Sequence, residues 1–336
     1  MKIGFWEIDN QEKKDYLSNN LQGYELVFFK EALNEDTLPQ DIEFDVISIF
    51  TNSRITSKII HFFPNLKLIT VRATGFDNID LKTANERGIP VCNVPAYGSH
   101  TVAEYTFGLI LSLSRHIPAA VNRLKISGNF SFEGLRGFDL NNKTLGVIGT
   151  GKIGQNVIKI AKGFNMQVIA ADNYPNNEAA ASLGFIYQPL EEVLKQSDIV
   201  TLHVPYMPET HHLINRRNIF LMKKDSLLIN TARGPVVETD ALFQAITGGH
   251  LAGAGLDVIE EEVEIKEEAQ LLEQSKMSTQ EYKTILEDHL LINLPQVIVT
   301  PHMAFYTKEA EETILETTVK NIQGLISGNL ENVVKA

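Results

Sequence analysis

Three glycines in one turn constrain this chain more than any other feature of it. The stretch TLGVIGTGKIGQNVIKIAK, residues 144–162, sets Gly149, Gly151 and Gly154 at G-x-G-x-x-G spacing, after an apolar run and before an amphipathic one. Gly149 permits a tight turn, Gly151 lets the backbone approach a pyrophosphate, and Gly154 lets helix and strand pack closely. The helix that opens there offers free N–H groups and the positive end of its dipole to a phosphate. A second strand pattern ends at Asp172, 18 residues past Gly154. That is the spacing of an acid that accepts from ribose hydroxyls and repels a 2′-phosphate. Asn173, Tyr174 and Pro175 follow it, and no arginine. NAD is therefore the expected cofactor. No Gly-Lys-Ser/Thr closes the turn, so it is not a Walker A loop.

The rest of the chain repeats the same alternation. Short apolar runs at residues 3–6, 25–28, 46–50, 68–71, 145–148, 167–171, 199–202, 227–230, 252–257 and 297–300 read as strands. Amphipathic stretches separate them, as at residues 153–162 and 240–246. Strands that are apolar on both faces, alternating with helices, predict parallel sheets covered on both sides. The fold class is α/β, with two doubly wound parallel-sheet domains. Residues 100–302 are expected to form an NAD-binding Rossmann domain. Residues 1–99 with 303–336 are expected to form a smaller, flavodoxin-like doubly wound domain. Residues 100–116 make a helix whose apolar surface is wide enough for two partners, both domains or a second subunit.

Composition narrows the function classes. With 30 basic and 42 acidic residues the net charge is −12, which argues against a nucleic-acid surface. A lone cysteine, Cys92, excludes a disulfide framework and a cysteine-rich zinc site, and no metal is expected. No run reaches the roughly 18 apolar residues of a membrane span. Glu7 interrupts the N-terminus before a signal-peptide core, so a cytoplasmic setting without membrane attachment is expected. Eleven acids and three lysines fall between Asp257 and Asp288. Apolar residues recur among them, so the stretch reads as a solvated helix with one or two special carboxylates near its start.

Ligands of open α/β sheets collect at the carboxyl ends of the strands. Those ends carry His203, then Thr231-Ala232-Arg233-Gly234, then Glu260-Glu261-Glu262, then Pro301-His302. An arginine suits a carboxylate through two parallel hydrogen bonds. A histidine exchanges protons near neutrality, and an adjacent carboxylate supports its charged form. Hydride transfer involving a hydroxy acid needs both. The plainer alternatives are a surface ion pair for Arg233, a helix cap for His302 and a cofactor-lining place for His203. His211 and His212 read as solvated loop residues, and Cys92 as a small buried side chain.

The order GTGKIG, Asp172, HVP (His203–Pro205), NTARG (Asn230–Gly234), GLDV (Gly255–Val258) and TPH (Thr300–His302) resembles the D-2-hydroxyacid dehydrogenases. VPAY, Ala103-Glu104 and TPHMAFYT resemble their D-lactate dehydrogenase-like branch. The resemblance covers essentially the whole chain. It implies that Arg233 binds the carboxylate and carbonyl of a 2-oxo acid, that His302 donates the proton, and that Glu262 pairs with His302. Glu260 and Glu261 adjoin Glu262, so the register of that acid stays open. It further implies a carboxylate-holding loop at Thr74-Gly75-Phe76, with Phe50 and Tyr97 also against the substrate. Lys152, Ile153, Asp172, Val204, Pro205, Thr210, Thr231, Ala232, Arg233 and Asp257 would line the cofactor beside the three glycines. A homodimer through the helix at residues 100–116 is implied as well.

Phe50 stands where several pyruvate-reducing relatives carry tyrosine, which leaves substrate size open. No segment resembles the regulatory domain added in many phosphoglycerate dehydrogenases, and that reading is set lower. The expected function is an NADH-dependent reduction of pyruvate to D-lactate. The competing readings are a glyoxylate/hydroxypyruvate or branched 2-oxo acid reductase, and a non-catalytic NAD-sensing binding protein on the same fold.

Overall fold

The computed structural model describes residues 1–260 and 279–334, which form two compact units. The first comprises Met1–Tyr97 and Tyr306–Ala336. Its strands are β1 (Lys2–Phe5), β2 (Glu25–Phe28), β3 (Val46–Ile49), β4 (Leu68–Val71) and β5 (Val91–Cys92). They pair in parallel in the order β2-β1-β3-β4-β5. Every residue of β3 and β4 is buried, as the uninterrupted apolar runs require of strands covered on both faces. On one face Trp6, Phe44 and Phe63 pack edge to face. On the other, Ile314, Leu315, Val319 and Ile322 of the C-terminal helix Lys308–Ser327 are buried, three of them beside Leu17, Leu21 and Leu68. That helix returns to the first unit, where Asn321 Nδ2 donates to Asn93 O at 2.9 Å.

The second unit is Gly98–Phe305. It holds β6 (Thr144–Ile148), β7 (Gln167–Ala171), β8 (Ile186–Tyr187), β9 (Ile199–Leu202), β10 (Ser226–Asn230), β11 (Leu251–Leu256) and β12 (Val297–Val299). The order β12-β11-β10-β9-β6-β7-β8 is parallel throughout. It places the change of winding direction between β6 and β9, where doubly wound sheets bind dinucleotides. The two α/β sheets are those the strand–helix alternation predicts.

Three expectations need correction. First, β5 and β8 are absent from the sequence reading, because two-residue strands show no period to read. Second, the helix expected over residues 100–116 is present as Ser99–Ser114, but its apolar surface is placed otherwise, and His116, at φ 52°, separates it from a second helix, Ile117–Ser127. The first of these buries Val102, Ala103, Phe107, Leu109, Ile110 and Leu113 inside its own unit, against the helix Lys152–Gly163 and β10 and β11. The apolar surface left exposed belongs instead to the second helix and the loop after it. Third, the acidic stretch is not uniformly solvated. In the helix Thr279–Ile292, Glu287 and Asp288 are buried, and Asp288 Oδ1 accepts from Thr239 Oγ1 at 3.2 Å.

Candidate active site

The glycine turn takes the form its spacing predicts. Gly149 has φ +91°, and a Cβ there would stand 2.7 Å from the His203 carbonyl. A Cβ on Gly154 would stand 2.1 Å from Gly149 O, so this glycine lets the helix Lys152–Gly163 begin against the end of β6. A Cβ on Gly151 would meet nothing within 4 Å, which leaves the helix start open to a ligand. Lys152 is exposed at that start, and Ile153 packs back onto the core. Asp172 lies just past β7 and closes the turn from the other side. Its Oδ2 accepts from Thr150 N at 2.6 Å and Thr150 Oγ1 at 2.9 Å, and its Oδ1 from Tyr174 N at 2.8 Å. Tyr187 OH meets Thr150 Oγ1 at 2.7 Å and accepts from Asn176 N at 3.0 Å. The contacts of Thr150 and Tyr187 were not legible in the sequence. Thr150 sits at a variable position of the motif, and Tyr187 lies on a strand too short to detect.

His203 follows β9 across the same crevice. Its Nε2 meets Thr201 Oγ1 at 2.9 Å, and its Nδ1 is buried with no hydrogen-bond partner. Desolvation pushes its pKa down to about 3, so the ring is neutral. Val204 packs against the core, and Thr210 Oγ1 holds the loop by donating to Pro205 O at 2.7 Å and accepting from Met207 N at 2.8 Å. An open helix start, a glycine cradle and an orphaned polar atom together fit a dinucleotide at this crevice.

The groups suited to chemistry come from three neighbouring strands. Beyond β10, buried Asn230 staples the NTARG loop: its Nδ2 donates to Arg233 O at 2.9 Å and its Oδ1 accepts from Ala232 N at 3.0 Å. Thr231 Oγ1 meets Thr106 Oγ1 at 3.1 Å, and Arg233 Nη1 donates to Ala232 O at 2.9 Å. A Cβ on Gly234 would overlap Ile259 O, at 1.9 Å, so this loop lies flat on the one after β11. Beyond β11, Asp257 is 1 % exposed. Its carboxylate accepts from Thr300 Oγ1 at 2.6 Å, Met303 N at 2.9 Å and Ala304 N at 2.8 Å. Burial raises its pKa, and these three bonds oppose the shift. Asp257 was expected to line the cofactor, yet its oxygens are committed to the turn that carries His302. Beyond β12, His302 is half-buried at φ +52°, a left-handed conformation that costs a non-glycine residue energy and marks a site the fold holds in place.

Of the three candidate acids, Glu261 and Glu262 lie outside the described residues. Glu260 has other partners: its Oε1 lies 2.5 Å from His212 Nε2, and its Oε2 accepts from Thr239 N at 3.1 Å. His212 and His211 are correspondingly not simply solvated. Their rings stack at 3.9 Å, and the His212 backbone N–H donates to Pro235 O at 2.8 Å. Adjacent residues need no helix to share a face when the chain turns at φ +49°, as it does at His212.

The other expected substrate residues, besides Arg233 and His302, fall in the first unit, beyond the carboxyl ends of its strands. Phe50 follows β3 and is half-buried. Thr74, Gly75 and Phe76 follow β4, where Thr74 Oγ1 donates to Val94 O at 3.0 Å and Phe76 packs on the core. Tyr97 is half-buried past β5. Among the described residues, no cluster of His, Cys, Asp and Glu could hold a metal ion. No helix there is long and apolar enough to cross a membrane.

Comparison with known proteins agrees with this fold. Residues 107–304 match the family described as D-isomer specific 2-hydroxyacid dehydrogenase, NAD binding domain. A crystal structure of D-lactate dehydrogenase from Aquifex aeolicus complexed with NAD and lactic acid superposes with a TM-score of 0.88 at 38% identity, over 97% of this chain and 96% of that one. D-lactate dehydrogenase of Escherichia coli is 35% identical over 98% of both chains. An aromatic 2-oxoacid reductase of Clostridium sporogenes is 38% identical over 83% of this chain and 82% of its own.

Proposed function

The chain belongs to the D-isomer specific 2-hydroxyacid dehydrogenase family, with NAD as its cofactor, and from that premise we propose that it reduces pyruvate to D-lactate. The observation that carries the reading is the placement of Arg233 and His302 beyond β10 and β12, on either side of Asp257 beyond β11, in the sheet that bears the dinucleotide turn. Bound NADH supplies the hydride. The planar guanidinium of Arg233 holds the substrate carboxylate and polarises the carbonyl. The His302 imidazolium passes its proton to the carbonyl oxygen as the alkoxide develops. Glu262 is the carboxylate that supports that charge. The Thr74-Gly75-Phe76 loop offers backbone N–H groups to the carboxylate, and Phe50 and Tyr97 bound the alkyl group.

The active form is a homodimer. The helix Ile117–Ser127 buries none of its residues, and Ile117, Val121 and Leu124 make an apolar stripe at helical spacing. Ile126, Phe130 and Phe132 continue it at 86%, 85% and 88% exposure, which a monomer would leave in water. A second copy of this chain covers them. Light scattering after size-exclusion chromatography should report twice the chain mass, and a monomer at micromolar concentration would refute the dimer.

The function is tested by following NADH consumption with pyruvate, glyoxylate, 2-oxoisocaproate and phenylpyruvate. The largest kcat/KM is expected with pyruvate. A larger value with phenylpyruvate would make the chain an aromatic 2-oxo acid reductase. Turnover of none of the four would favour an NAD-sensing binding protein.

A further inference from the structure

The first unit has its own crevice. Its strand order reverses between β1 and β3, the point at which sheets of this winding gather ligands. Glu7 and Phe50 stand just beyond those two strands. Glu7 adopts φ +58°, a left-handed conformation that a residue with a Cβ rarely takes. Its carboxylate accepts five hydrogen bonds from one short segment. Oε2 takes Phe50 N at 3.0 Å, Ser53 N at 3.2 Å and Ser53 Oγ at 2.6 Å. Oε1 takes Asn52 N at 3.0 Å and Asn52 Nδ2 at 2.9 Å.

The carbonyls of the same segment are held from the opposite side. Asn78 Nδ2 donates to Phe50 O at 3.1 Å and to Ser53 O at 2.7 Å. Beneath the segment lies Arg72, 3 % exposed, with its guanidinium 5.9 Å from the centre of the Phe50 ring. Arg72 Nη1 donates to Ser48 Oγ at 2.9 Å, and Nη2 donates to the carbonyls of Trp6 and Glu7. A loop whose N–H groups and carbonyls both end on side chains has little freedom to move its first residue.

We infer that Glu7 is a specificity-determining residue that fixes Phe50 as a rigid wall against the alkyl group of the 2-oxo acid. Glu7 touches neither substrate nor cofactor in this reading and acts through Phe50. The inference rests on the proposed place of Phe50 beside the substrate. A wall that does not yield excludes larger side chains, since the cost of the extra volume cannot be relieved by moving the loop. Loosening it should admit larger 2-oxo acids at the expense of the small one.

The test compares kcat/KM for pyruvate and phenylpyruvate in the full chain and in Glu7→Gln and Phe50→Ala variants, with the KM for NADH as control. Glu7→Gln keeps the shape but turns an NH2 group towards N–H donors. The pyruvate-to-phenylpyruvate ratio should fall about tenfold with an unchanged KM for NADH. An equal loss with both substrates, or no shift in the ratio, overturns the role of Glu7. If Phe50→Ala shifts the ratio and Glu7→Gln does not, only that role falls. If Phe50→Ala leaves the ratio unchanged, the placement of Phe50 falls and the inference with it. Should Glu7→Gln not fold, Asn52→Ala removes the Nδ2 bond to Oε1 at an exposed position. A smaller shift in the same direction supports the inference, and an unchanged ratio overturns it.

Discussion

His302 hangs from Asp257: its backbone N–H donates to the Asp257 carbonyl at 2.9 Å, while the Asp257 carboxylate takes the N–H groups of Met303 and Ala304. The turn that carries the imidazole is thus held by a buried acid just beyond the neighbouring strand. Asp257→Asn would turn an amide NH2 towards a turn that offers donors, and leave at least one of them unpaired. A fall in kcat of about 10–100-fold is expected, with KM for pyruvate much less affected, because the proton donor loses its aim before the carboxylate loses its site. Steady-state kinetics beside a thermal melt checks this. Wild-type kcat in a folded Asp257→Asn enzyme would show that His302 holds its conformation unaided.

Arg233 tests the carboxylate site. Arg233→Lys keeps the charge and loses the planar two-bond fork, so kcat/KM for pyruvate should fall by about 10²–10³-fold. Near-normal kinetics would move the carboxylate elsewhere.

Asp172 tests cofactor choice. In the proposed reading its charge would face a 2′-phosphate, so NADH should exceed NADPH in kcat/KM by at least about tenfold. Asp172→Asn should narrow that gap chiefly by weakening NADH, since its Oδ2 also holds Thr150 N and Oγ1 in the glycine turn. Equal efficiency with both cofactors in the unaltered chain would refute the assignment.

The glycine turn was legible because it is a local pattern with a local physical cause, whereas the NTARG and TPH turns stood out by their place at strand ends and by family resemblance. Gly149 needs a positive φ, Gly154 needs contact with the Gly149 carbonyl, and both needs are written in the spacing. The supports were not legible, because they are long-range. Asp257 reaches Thr300 across 43 positions, and Glu7 reaches Phe50 across 43 as well. Nothing near Glu7 in sequence announces a carboxylate with five donors. The stacking of His211 on His212 depends on a left-handed residue, and hydropathy carries no trace of backbone handedness. The apolar residues of the helix Ser99–Ser114 were legible, but their burial inside one unit was not, because which neighbour covers a helix is a long-range fact.

His203 makes a pH-dependent prediction. Burial pushes its pKa down to about 3, against about 6.5 in an unfolded chain. Between those values the unfolded state binds a proton that the folded state refuses, so stability rises with pH across the window and is lost as pH falls through it. His203→Gln keeps a partner for Thr201 and removes the titration. Melting temperatures at a series of pH values should therefore fall less steeply in the variant below about pH 6.5. Parallel curves would mean that the ring takes up its proton in the folded protein.

The pairing of Glu262 with His302 is the most exacting prediction, and Glu260 supplies its control. In the reducing direction His302 must begin protonated, so His302→Gln should lower kcat by about 10²–10⁴-fold. Glu262→Gln should retain more activity but lose it at a lower pH, because a neutral amide no longer supports the charged ring. Glu260 is the nearest competitor in sequence, and its oxygens are engaged by His212 Nε2 at 2.5 Å and Thr239 N at 3.1 Å. Glu260→Gln should therefore lower the melting temperature, through the lost partner of His212 and the start of the helix Thr239–Thr247, while the pH limb stays in place. Glu261→Gln should move neither. If the limb shifts in Glu260→Gln or Glu261→Gln instead, the carboxylate beside His302 is that residue, and the five-residue step from Asp257 is misread. If His302→Gln stays fully active, the proton comes from another group, and the proposed role of His302 falls.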